Sequence, residues 1–143
     1  MNFDPTVWGP HFWFFLHTIA HSYPIHPNEV TKRKYYDTIQ NMPLFIPVSD
    51  IGDRFSGLLD KYPVSPYLGS RESFVRWVHF IHNKINEKLE KPQISLNDFF
   101  VKYYDEYKTG DEKLTQYYKI REKVIYFGIL VGIVGTIYYL YDK

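Results

Sequence analysis

From Val124 to Tyr141 the chain runs eighteen residues, VIYFGILVGIVGTIYYLY, without one charge. Water tolerates such a run poorly, so it must sit in a core, lie along a membrane interface or cross a bilayer. Eighteen residues is close to the minimum for a helix crossing the roughly 30 Å hydrocarbon layer. Tyr126, Tyr138, Tyr139 and Tyr141 fall near the two ends of the run, where an interfacial aromatic belt would place them. Lys119, Arg121 and Lys123 precede it, and only Asp142 and Lys143 follow. The expectation is a transmembrane helix at 124–141, with a buried core helix or an interfacial segment as the alternatives. By the bias of basic residues toward the inner face, the preceding domain would face the cytoplasm, tail-anchored. Gly128, Gly132 and Gly135 put small residues on one side of this helix, either a dimerisation face or an ordinary glycine-containing span.

The remainder is enough for one modest domain. Seventeen Lys and Arg against sixteen Asp and Glu leave no basic cluster, which argues against a nucleic-acid partner. The chain contains no cysteine, which excludes disulfides, thiolate metal sites and thiolate nucleophiles. No basic n-region or small-residue cleavage site accompanies the first aromatic run, so a secretory leader is not expected there.

Periodicity points to helices throughout. His11–Ser22 is apolar almost all round, as in the middle of a bundle, with Pro10 in its first turn. Tyr23-Pro24 ends it, and Asn28 can cap a second helix that Pro43 interrupts. A third begins near Ser49-Asp50. Ser70 or Ser73 can cap a fourth, on which Phe74, Trp77, Val78, Ile81, Ile85 and Leu89 form a 3.6-period stripe. Lys91-Pro92 stops it. A fifth, aromatic helix is expected from about Leu96 to Tyr107, then a break at Thr109-Gly110-Asp111. No β-type alternation of useful length occurs. The expected class is all-α: a four-helix bundle with a short fifth helix and a C-terminal transmembrane helix, divided as domain 1–108, stem 109–123 and anchor 124–141.

Two helix faces carry candidate chemistry. Trp13 and His17 are four apart on helix one, and His82 and Asn86 on helix four, so each pair shares a face. Turned toward each other, they could hold a planar ligand; taken alone, such pairs also occur on solvated faces. His17/His21 and His79/His82 have the spacing of metal-binding pairs, but no carboxylates sit at convincing ligand spacing, and no metal is expected.

With Trp8-Gly9-Pro10-His11-Phe12-Trp13-Phe14-Phe15-Leu16-His17 and His82-Asn83-Lys84-Ile85-Asn86-Glu87-Lys88-Leu89-Glu90-Lys91-Pro92, the chain resembles the Erv/ALR family of FAD-linked sulfhydryl oxidases. Tyr23-Pro24, Phe45-Ile46-Pro47 and Trp77 match further family positions in the same order. The resemblance implies an FAD site formed by Trp8, Gly9, Trp13, His17, Tyr23, His82, Asn83, Ile85, Asn86, Leu89 and Lys91. Lys102 and Tyr103 stand where the family has Arg and Trp; lysine is a poorer bidentate phosphate clamp than arginine.

The resemblance also places the family's redox-active dithiol at Val48 and Ile51, and its structural disulfide at His79 and Leu96. In the implied mechanism a dithiol collects electrons by thiolate attack, flavin accepts them and oxygen takes them last. Valine and isoleucine can do none of this. They can only fill the volume, so both are expected to be buried beside the pocket. The expected protein is an FAD-binding member that has lost its dithiols. It would act with a cysteine-supplying partner or be a non-catalytic scaffold of the same fold, a pseudoenzyme. A homodimer, or a dimer with an active relative, is implied. Chain length, anchor and composition suit a viral member on a host or virion membrane.

Overall fold

A computed structural model describes residues 3–142. It contains six α-helices and, among the described residues, no strand: α1 (Pro5–Ser22), α2 (Glu29–Asn41), α3 (Ser49–Lys61), α4 (Arg71–Lys88), α5 (Leu96–Asp105) and α6 (Gly110–Tyr141). Short 3-10 turns, Met42–Phe45 and Ser65–Tyr67, lead into α3 and α4. The chain divides into two compact units, one ending at Val101 and one beginning at Lys102.

Side chains satisfy the free amides at most helix starts, as the sequence suggests. Asn28 Oδ1 accepts from Thr31 N at 2.8 Å, and Ser70 Oγ from Ser73 N at 3.2 Å. Helix α1 starts earlier than expected because Asp4 Oδ1 accepts from Thr6 N at 2.8 Å. Pro10 therefore lies inside the helix, where its missing N–H leaves the Thr6 carbonyl without its usual intrahelical donor.

The core of the first unit gathers Leu16, Ala20, Tyr23, Ile39, Phe55, Leu59, Phe74, Trp77, Val78 and Ile81. Helix α1 packs chiefly on α4, and α3 on the Met42–Phe45 turn. Gly52 makes that second contact possible: a Cβ there would meet Pro43 O at 2.8 Å.

Two expectations fail. Helix α1 is not central, since only Leu16, His17 and Ala20 of its length are buried while Phe14 and Phe15 are exposed. Phe12 and Phe15 line an open groove with Lys34, Asp37 and Thr38 of α2, so that side of α1 is only loosely covered. Leu89 does not continue the α4 stripe and is 49% exposed. The helix ends at Lys88, Leu89 N bonds back to Ile85 O and Asn86 O, and Glu90 takes φ 54°, turning the chain off the core face.

In the second unit, Thr109 and Glu112 cap α6 reciprocally, side chain to backbone. This helix is thirty-two residues long, exposed along its described length, and long and apolar enough to cross a membrane.

Candidate functional site

Helices α1 and α4 meet where both carry histidine. His17 Nε2 lies 3.0 Å from His82 Nδ1. The rings of Trp13 and His82 stack with centroids 4.0 Å apart and planes 7° from parallel. Phe99 of α5 closes the other side, its ring centroid 4.0 Å from that of His17. The result is a run of ring contacts: Trp13 stacked on His82, His82 bonded to His17, His17 against Phe99.

His17 is 98% buried by accessible area, since its exposure is 2%. Burial first, then the neighbouring imidazoles of His82, His21 and His79, pushes its pKa down to about 2. It is therefore a neutral imidazole. One nitrogen of the His17–His82 pair donates and the other accepts. His17 Nδ1 is buried without a hydrogen-bond partner among the described residues. A buried lone pair without a donor is better tolerated than a buried N–H without an acceptor. That favours His17 Nε2–H donating to His82 Nδ1, which leaves His17 Nδ1 as a buried acceptor.

The remaining sequence-predicted residues separate into groups. Trp8 and Ile85 are half-buried and pack against the core, Trp8 edge-on to Phe12 at 6.0 Å. Gly9 has open space beyond its Cα. Tyr23 is fully buried; its hydroxyl donates to Leu68 O at 2.8 Å and its carbonyl accepts from Arg71 Nε. Asn86 is buried one turn beyond His82. Asn83 turns to the chain leading into α5 and holds the backbone of Ile94 by two hydrogen bonds, 2.9 and 3.0 Å. Leu89 and Lys91 are exposed where α4 ends. Lys102 and Tyr103 belong to the second unit, where Lys102 is exposed and Tyr103 is buried, its hydroxyl 2.9 Å from that of Tyr107. Phe99 was not singled out in the sequence. Its only signal was the aromatic pair Phe99-Phe100 in the expected fifth helix.

Val48 occupies the N-cap of α3 and Ile51 lies in its first turn. Both are half-buried rather than buried, because this helix start sits at the edge of the unit between exposed Pro47, Ser49 and Asp50. Ile51 packs against the core cluster.

A helical bundle with paired aromatic and histidine faces on its first and fourth helices defines the class of protein. Residues 10–106 match the Erv1 / Alr family, and the chain belongs to it. The FAD-linked sulfhydryl oxidase of Acanthamoeba polyphaga mimivirus is 36% identical over 84 residues, 58% of this chain and 59% of that relative. The FAD-linked sulfhydryl oxidase 096R of Invertebrate iridescent virus 3 is 28% identical over 103 residues, 72% of this chain and 70% of that relative. Among solved structures, the yeast Erv1 core superimposes with a TM-score of 0.66 at 28% identity, covering 73% of this chain and 87% of that one. The FAD-binding domain of Erv1 from Saccharomyces cerevisiae matches with the same score over 97% of its length.

Proposed function

We propose that this protein binds FAD against the α1–α4 face and, having no dithiol, takes part in thiol-to-disulfide chemistry only with a partner that supplies cysteines. The observation that carries this reading is the cluster of Trp13, His82, His17 and Phe99 rings together with the buried, unpartnered His17 Nδ1. Flat apolar surfaces and a buried polar atom without a partner suit a flavin nucleotide, which is planar, aromatic and rich in edge donors and acceptors. When bound, FAD supplies two-electron acceptance from thiols and return of those electrons to oxygen.

The chain's own residues bind and orient. Trp13 and His82 offer ring faces, and neutral His17 offers an acceptor without a charge. Trp8, Gly9, Tyr23, Asn83, Ile85, Asn86, Leu89, Lys91, Lys102 and Tyr103 complete the set implied by the family motifs. Val48 and Ile51 present apolar side chains at the start of α3 and form no thiolate. Residues 1–108 would form the flavin domain and 109–123 a stem. Residues 124–141 would form the anchor, with Lys119, Arg121 and Lys123 holding the domain on the cytoplasmic side. A dimer with an active relative would bring cysteines to this face, whereas a homodimer, having none, would leave them to a further partner.

A second reading, a scaffold that holds no cofactor, is favoured by one observation. Trp13 and His82 already stack on each other at 4.0 Å, which leaves no space between them for a third ring.

Purification in detergent with visible spectroscopy separates the two. The expected result is a flavin-coloured protein that produces no peroxide from dithiothreitol, with oxidase activity appearing in Val48→Cys/Ile51→Cys. A colourless protein that takes up no added FAD supports the scaffold. Rapid peroxide production by the unmodified protein overturns both readings, since electrons would then reach flavin without a protein dithiol.

A further inference from the structure

Between α4 and α5 the chain crosses from Lys91 to Ser95, and one residue of that strap is gripped three times. Ile94 N–H donates to Asn83 Oδ1 at 3.0 Å, and Ile94 O accepts from Asn83 Nδ2 at 2.9 Å. The same carbonyl lies 2.8 Å from His79 Nε2. A carbonyl oxygen only accepts, and it has two lone pairs, so His79 Nε2 carries its proton and both donors are served. A nitrogen that donates there cannot also accept from Asn83 Nδ2, so their 3.3 Å separation is a contact rather than a bond. His79 and Asn83 are four residues apart on α4 and so project from one face.

Five residues beyond Ile94, α5 carries Phe99, buried, with its ring 4.0 Å from His17 and 5.8 Å from His79. One helix, α4, thus presents His82 to His17 and also holds the strap that leads to Phe99, whose ring lies 4.0 Å from that of His17. The family's structural disulfide falls, by resemblance, at His79 and two residues past Ile94. A polar clasp occupies that place here.

We infer that Asn83 and His79 are positioning residues whose grip on Ile94 sets Phe99 against His17. Both polar atoms of the Asn83 side chain engage Ile94, so Asn83, which the family motifs count among the FAD residues, acts on the site through Phe99. Its effect on FAD rests on the function proposed above; the grip on Ile94 does not.

The test uses the full chain in detergent micelles and has two arms. In the first, amide exchange is followed without FAD. Asn83→Ala should speed exchange at Ile94 about tenfold or more while amides of α2 stay unchanged. In the second, free FAD is titrated. Asn83→Ala should weaken binding about tenfold in the parent and less than about twofold in a Phe99→Leu background, because one effect acts through the other. Unchanged exchange at Ile94 overturns the clasp. Fully additive losses overturn the positioning role and make Asn83 a direct cofactor contact. A parent chain that binds no FAD defeats the proposed function, while the exchange arm still decides the clasp. Should Asn83→Ala fail to fold, His79→Phe, which removes one donor and keeps the ring volume, replaces it in both arms.

Discussion

His17 shows how a single buried side chain couples the site to the stability of the fold. Its pKa is about 2 in the folded protein against an ordinary 6.5, so below neutrality the unfolded chain binds a proton there that the folded chain does not. The stabilisation is therefore present above about pH 6.5 and lost as pH falls. Between pH 7 and pH 5 this one group should remove about 2 kcal/mol of unfolding free energy. Urea titrations at the two pH values read it, and His17→Gln should flatten most of the difference. An equal difference in the variant would assign the loss to other groups. Gly52 is the opposite kind of residue, needed for what it lacks. Gly52→Ala drives a Cβ to 2.8 Å from Pro43 O, a backbone atom that cannot swing aside. The expected cost is about 1–3 kcal/mol in the same titration, from displacing the turn that packs on α3. A loss below about 0.5 kcal/mol would mean that the turn shifts freely.

At the scale of elements, the helix starts were the most legible features, because a cap is a local bond between residues three apart. Asn28, Ser70 and the break at Thr109 lie where their sequence places them. Ser70 matters most, since it opens the helix that carries His79, His82, Asn83 and Asn86. Ser70→Ala should cost about 1 kcal/mol and speed amide exchange in the first turn of α4. No change at Ser73 N would show that another acceptor replaces the hydroxyl. The end of α4 was less legible: Lys91-Pro92 marks where a helix cannot continue, but the chain leaves it three residues earlier through Glu90 at positive φ. Leu89 was lost from the stripe for that reason. The exposed side of α1, with Phe14 38% and Phe15 57% exposed, was missed because an apolar sequence does not say how many helices will cover it.

For the whole molecule, α6 is the described helix that is long and apolar enough to cross a membrane. At 1.5 Å per residue its thirty-two residues span about 48 Å, more than the apolar layer of a bilayer, and the charged first half fits the excess. The full chain is expected to stay with membranes through an alkaline wash. A chain ending at Lys108 should be released. Release of both would make α6 a solvent-exposed or partner-bound helix instead.

The sequence by itself determined the class of fold, the helix starts, the membrane-competent tail, the absence of cysteine, and the shared helix faces of Trp13 with His17 and of His82 with Asn86. Each of these depends on residues near one another in the chain, on helical period, or on a residue type that is absent. The tertiary structure alone decided that Trp13 and His82 stack on each other, that Phe99 seals His17, and that Asn83 grips Ile94. It also decided that Val48 and Ile51 are half-buried at a rim. Those outcomes depend on which helices become neighbours and at what angle. That is set by packing a particular set of large rings into one core, and no short stretch of sequence encodes it.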